Sequence, residues 1–145
     1  FYHRDIIHQD FTSSQPLGIN IYYCLDKYTP QNGGTIFLEK SHLSPKFNPE
    51  LKEICPIVNP GSIILFDSML YHKAGINKTN NFRYGINNMF TLPFLKQQFD
   101  FSYFLKGKYS QDPYLKRVLG YQTQEFKSVK DFRNFRLKKI NDELG

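Results

Sequence analysis

Leu17-Gly18-Ile19-Asn20-Ile21-Tyr22-Tyr23-Cys24-Leu25 alternates along its whole length. Successive side chains of an extended chain point to opposite sides. Leu17, Ile19, Ile21, Tyr23 and Leu25 therefore share one face, and Gly18, Asn20, Tyr22 and Cys24 share the other. Both faces are expected to be occluded, as in a sandwich or barrel strand whose second face lines a pocket. A turn follows at Pro30 and Asn32-Gly33-Gly34, residue types that accept the backbone angles of tight turns. Further short strands are expected near Thr35 to Glu39, Glu53 to Val58, Ser62 to Phe66, Met69 to Lys73 and Phe82 to Leu92. Pro60-Gly61 and Asn77 to Asn81 supply the turns between them. Many short strands separated by turn residues argue for a mainly β sandwich or jelly roll.

The C-terminal part reads differently. Asp112-Pro113 and Gly120 offer an N-cap, a first-turn proline and a terminal glycine. Ser128 and Asp131 resemble a capping box that opens a helix to about Asn141. The expected organisation is a β core over residues 1–98 and a helical extension over 99–145 that packs on the same domain as a lid or brace. The chain opens on Phe1, and it is expected to begin inside a domain whose first part is missing.

With 145 residues the chain suits one domain. Its 14 Phe and 10 Tyr fill a core and line pockets for flat or oily ligands. The net charge of +6 is unevenly spread: residues 1–95 hold eight Lys/Arg and seven Asp/Glu, and residues 96–145 hold eleven and six. The positive charge thus belongs to the tail, where solvated helix faces account for it, and nucleic acid is not an expected partner. Cys24 and Cys55 are the only cysteines and are expected to be free thiols. No stretch reaches the length of a membrane span, so no membrane partner is expected. A small molecule is the expected substrate, and the cytoplasm the expected location.

His3-Arg4-Asp5 and His72 carry the chemistry, with Arg83 eleven residues after the second histidine. In an extended segment residues i and i+2 project to the same side, so His3 and Asp5 can address one ion. A histidine from a facing strand completes the two-His, one-carboxylate set that holds non-haem Fe(II) and leaves positions open. A second H-x-D pair, His8-Gln9-Asp10, competes for the role. Arg83, in a strand expected beside that of His72, suits a two-bond clamp on a carboxylate.

Taken together, these stretches resemble the phytanoyl-CoA dioxygenase family of Fe(II)- and 2-oxoglutarate-dependent oxygenases. The matching motifs are His3-Arg4-Asp5, Ser14-Gln15-Pro16-Leu17-Gly18-Ile19-Asn20, Thr29-Pro30-Gln31-Asn32-Gly33-Gly34, Ser41-His42, Pro60-Gly61-Ser62-Ile63-Ile64-Leu65-Phe66-Asp67, and His72 to Arg83. The resemblance covers residues 1 to about 98, with a looser likeness at Leu119-Gly120-Tyr121 and the final helix. It implies a double-stranded β-helix (a cupin-like jelly roll) lacking its early part. It favours His3 and Asp5 over His8 and Asp10, and gives His3, Asp5 and His72 as Fe(II) ligands. Arg83 would grip the distal carboxylate of the co-substrate 2-oxoglutarate, and O2 would be the second co-substrate. Asn20 and Tyr22, on the inward strand face, would touch the co-substrate, and Gly85 would leave room beside Arg83. Ala74 stands where many relatives carry a hydroxyl, which shifts co-substrate binding toward Arg83 and Asn20. The implied reaction is hydroxylation of a small organic substrate with release of succinate and CO2. The Asp5 carboxylate points away from halogenation, since related halogenases have a small residue at that position. The alternative is a non-catalytic jelly-roll binding module or an inactive remnant of the family.

Overall fold

A computed structural model describes residues 1–6 and 10–144. His8, the rival ligand, lies outside the described residues. The chain divides into two compact units, Phe1–Leu92 and Pro93–Gly145.

The first unit contains β1 (Gly18–Cys24), β2 (Thr35–Leu38), β3 (Glu53–Ile54), β4 (Ile63–Asp67), β5 (His72–Ala74) and β6 (Gly85–Thr91). They form two three-stranded sheets, β4-β1-β6 and β3-β2-β5, and every pairing is antiparallel. The strand expected over Glu53 to Val58 shortens to Glu53–Ile54, and two other boundaries move for one reason, a carboxylate that captures backbone amides. The strand carrying His72 begins only there, because the Met69 N–H donates to the Asp67 carboxylate at 2.8 Å and the Leu70 N–H to the Asp67 carbonyl at 2.9 Å. The last strand begins at Gly85 rather than Phe82, and the Tyr84 N–H donates to the Asp26 carboxylate at 2.7 Å. Gly33 and Gly61 occupy the left-handed region at φ 77° and 80°, where glycine carries no steric penalty.

Two sequence expectations are corrected. The strand after Arg83 pairs with β1 and not with the strand of His72, which pairs with β2. Arg83, just before β6, and His72, in β5, are therefore carried by strands of different sheets. Nor are both faces of β1 occluded. Gly18, Asn20 and Cys24 are buried, but Ile19 and Leu25 stand exposed on the opposite face, beside Ile63, Leu65, Ile86 and Phe90. The register aligns Tyr23 with Ile63 and Ile86, and Ile19 with Phe90, which gathers these apolar side chains on one side of the sheet. The core is built from Phe37, Leu38, Phe66, Met69 and Tyr71. Phe37 of β2 meets Phe66 of β4 edge-on at 4.9 Å, so aromatic burial joins the two sheets.

The second unit contains α1 (Phe101–Leu105), α2 (Pro113–Val118) and α3 (Val129–Leu144). The Asp112 carboxylate caps α2 by accepting from the N–H groups of Tyr114 and Leu115 at 2.8 and 2.9 Å. Ser128 Oγ accepts from the Asp131 N–H at 3.1 Å and donates to the Asp131 carboxylate at 2.7 Å. Among the described residues no helix is long and apolar enough to cross a membrane. Cys24 and Cys55 are free thiols.

Candidate metal centre

Backbone pairing brings the first two candidate ligands together. The His3 N–H donates to the His72 carbonyl and the His72 N–H to the His3 carbonyl, both at 3.0 Å. Residues directly opposite in an antiparallel pair project to the same face, and the two imidazole centroids lie 4.4 Å apart. The two-residue period then brings Asp5 to that side, with its N–H held by the Ser68 carbonyl at 3.2 Å. Asp5 Oδ1 ends 3.4 Å from His3 Nε2 and 3.6 Å from His72 Nε2. One ligand atom from each of the three residues lies within 4.8 Å of the others. Such separations suit three ligands each about 2.0–2.2 Å from one ion, and the donor set is that of a facial triad.

Neighbouring groups orient two of the three candidate ligands, His72 and Asp5. His72 Nδ1 lies 3.0 Å from the Leu70 carbonyl. A proton on Nδ1 donates there and leaves the Nε2 lone pair facing Asp5 and His3. Burial holds the His72 pKa below its ordinary value, outweighing the upward pull of the Leu70 carbonyl and Asp5. That favours the neutral imidazole, the form that binds metal.

Asn20 is completely buried. Its Nδ2 donates to Asp5 Oδ2 and, at 3.1 Å, to Asn87 Oδ1, while its Oδ1 accepts from Ser68 Oγ. An amide nitrogen has two hydrogens, and both are committed. Asn20 thus holds Asp5 Oδ2, while Asp5 Oδ1 lies toward the two histidines. Ser68 and Asn87 were not singled out in the sequence. Asn87 stands opposite Tyr22 in the β1–β6 register, so strand parity alone could have found it.

Tyr22 faces the triad, its hydroxyl 3.2 Å from His72 Nε2. Burial, with Asp5 and Tyr28 adding to it and Arg83 opposing, pushes the phenol pKa far above its usual value. The hydroxyl therefore stays protonated and able to donate. Arg83 donates from Nη2 to the Gly33 carbonyl at 2.7 Å and lies over the Tyr28 ring, 4.2 Å from its centroid. Its Nε is buried with no hydrogen-bond partner. An orphaned buried guanidinium donor fits a carboxylate ligand. The room expected at Gly85 is filled, because the Tyr28 hydroxyl occupies the space where a Cβ would stand.

Arg4, between the two ligands of the H-x-D pair, is 3% exposed. It points the other way, donating to the carbonyls of Phe11 at 3.0 Å and Ser41 at 2.8 Å and lying 4.3 Å over the Tyr71 ring. Ser41 Oγ accepts from the Tyr71 N–H at 2.8 Å. The chain neighbours of both ligand segments are thus anchored on Ser41, which gives the Ser41-His42 motif a structural role.

A family model for phytanoyl-CoA dioxygenase (PhyH) matches residues 2–85. The chain belongs to this family of Fe(II)- and 2-oxoglutarate-dependent oxygenases. An uncharacterized protein of Mycobacterium tuberculosis, Rv1501, is 33% identical over 105 residues, which cover 68% of this chain and 38% of that protein. The dioxygenase trt7 of Aspergillus terreus is 34% identical over 74 residues, covering 48% of this chain and 26% of the relative. The crystal structure of EctD from S. alaskensis with bound Fe has the same fold, with a TM-score of 0.54 and 19% identity over 68% of this chain and 40% of that one. The chain therefore spans well under half the length of the curated relatives it matches.

Proposed function

We propose that the protein containing this chain is an Fe(II)- and 2-oxoglutarate-dependent dioxygenase that hydroxylates a small organic substrate. The observation that carries this reading is the convergence of His3, Asp5 and His72, whose ligand atoms lie within 4.8 Å of one another. These three residues would hold the iron. When bound, the metal couples oxidative decarboxylation of 2-oxoglutarate by O2 to oxidation of a substrate C–H bond, and succinate and CO2 are released.

The chain's own groups then bind and orient. Three protein ligands on one side leave positions for the 2-oxo acid and O2. His72 keeps Nε2 unprotonated through the contact of Nδ1 with the Leu70 carbonyl. Asn20 keeps one Asp5 oxygen occupied so that the other is the ligand. Arg83 receives the distal carboxylate through donors not used by Gly33, and a planar fork grips a carboxylate by two bonds. The Tyr22 hydroxyl, beside His72, donates to a co-substrate oxygen. The two facing sheets read as a double-stranded β-helix, with His72 contributed by one and Asn20 and Tyr22 by the other. Hydroxylation rather than halogenation rests on the carboxylate of Asp5, which keeps halide out of that position.

The test is succinate release by the full-length protein supplied with Fe(II), O2, 2-oxoglutarate and a panel of small substrates. Iron-dependent succinate is expected from the natural sequence and none from Asp5→Ala. Turnover retained by Asp5→Ala would overturn the ligand assignment. Iron uptake without any succinate would favour the non-catalytic binding module.

A further inference from the structure

Tyr28 has no part in the chemistry above, yet it is 2% exposed and built into the wall around Arg83. Its backbone is tied to Val58 in both directions, Tyr28 N–H to Val58 carbonyl at 2.9 Å and Val58 N–H to Tyr28 carbonyl at 3.2 Å. The Arg83 guanidinium lies over its ring, 4.2 Å from the centroid. The hydroxyl end rests against Gly85, where an added Cβ would come within 2.0 Å of the Tyr28 oxygen and 3.1 Å of Cζ. Gly85 is not among the glycines with positive φ and pairs regularly with Cys24 in the β1–β6 ladder. The backbone angles there do not demand glycine, and besides Tyr28 a Cβ would meet the Tyr23 carbonyl at 3.2 Å, a milder crowding. Tyr28, not a turn, is what requires glycine at this position.

We infer that Tyr28 is the positioning residue for the co-substrate clamp, a ring platform that fixes Arg83 before ligand arrives, and that Gly85 is the gap that admits it. The inference rests on the reading of Arg83 as the 2-oxoglutarate anchor. A guanidinium over an aromatic face is held by cation–π attraction. The Gly33 carbonyl takes one further N–H, so ring and carbonyl together restrict the long side chain. Ordering a flexible side chain in advance removes a cost otherwise met on binding. The buried Nε has no partner and remains a donor for a carboxylate. Tyr28 and Arg83 both act electrostatically on the Tyr22 phenol, which itself lies 3.2 Å from His72 Nε2.

The full-length protein, loaded with Fe(II) without oxygen, is titrated with 2-oxoglutarate by calorimetry, and Fe(II) affinity is measured in parallel. Tyr28→Leu removes the platform and is expected to weaken 2-oxoglutarate binding about tenfold, the scale of a buried cation–π contact, with Fe(II) affinity unchanged. Gly85→Ala is expected to do the same by displacing the ring. Tyr28→Phe keeps the ring and is expected to bind nearly as the natural protein does. Combined with Gly85→Ala it removes the closest collision and restores most of the lost affinity. Undiminished 2-oxoglutarate affinity in Tyr28→Leu would overturn the inference, as would equal loss of both affinities or failure of Tyr28→Phe to rescue Gly85→Ala. A natural protein that binds Fe(II) but no 2-oxoglutarate would instead overturn the reading of Arg83 and the inference with it.

Discussion

The two oxygens of Asp5 have separate tasks: Oδ1 faces both histidines, and Oδ2 accepts from Asn20. Groups that orient a metal ligand typically account for about 10–100-fold in metal affinity. Asn20→Ala should therefore weaken Fe(II) binding on that scale in an oxygen-free titration, while leaving the ligand set intact; an unchanged affinity would make the amide incidental to the site. Arg83→Lys keeps the charge but loses the planar fork. Its KM for 2-oxoglutarate should rise about tenfold or more, the loss of one charge-assisted bond, with iron affinity unaltered. That His3 and Asp5 can address one side follows from the two-residue period, but the same period fits His8 and Asp10, and only the family resemblance separated the two pairs. The task of Asn20 was not, because its partners Ser68 and Asn87 are far away in sequence and meet it only when β1 lies beside β4 and β6. Parity pointed Asn20 inward correctly, and burial then decided which inward group it would satisfy.

Strand positions followed closely from alternation and turn residues, whereas strand neighbours did not. The sequence spacing of His72 and Arg83 suggested adjacent strands, but β5 joins β2 and β6 joins β1. Crossing between sheets leaves no mark on local periodicity. Strand ends also escaped the sequence pattern where Asp67 and Asp26 draw backbone amides out of the ladder. The β2–β5 pair that carries His72 closes through a tight approach at its end. The Gly75 N–H donates to the Gly34 carbonyl at 3.1 Å, and a Cβ at Gly75 would stand 2.5 Å from that oxygen. Neither backbone can yield without disturbing the pair. Gly75→Ala should lower stability by about 1–3 kcal/mol, as overpacking does, read as a reduced melting temperature. A melting temperature equal to that of the natural protein would mean the pairing tolerates the shift.

At the level of the chain, every candidate ligand and the clamp arginine fall in the first unit, Phe1–Leu92. Most of the net positive charge falls in the helical second unit, whose α3 is exposed along its length. The family match over residues 2–85 lies within the β unit and ends where β6 begins. The chain spans 38% of the length of the mycobacterial relative. The central claim is narrower: His3, Asp5 and His72 together hold one iron. Its most direct test is an oxygen-free Fe(II) titration of the full-length protein, with His3→Ala, Asp5→Ala and His72→Ala measured beside it and His8→Ala as the control. A single ion should bind the natural protein and His8→Ala, and binding should collapse in the other three. Full iron occupancy in Asp5→Ala, or its loss in His8→Ala, would contradict the account.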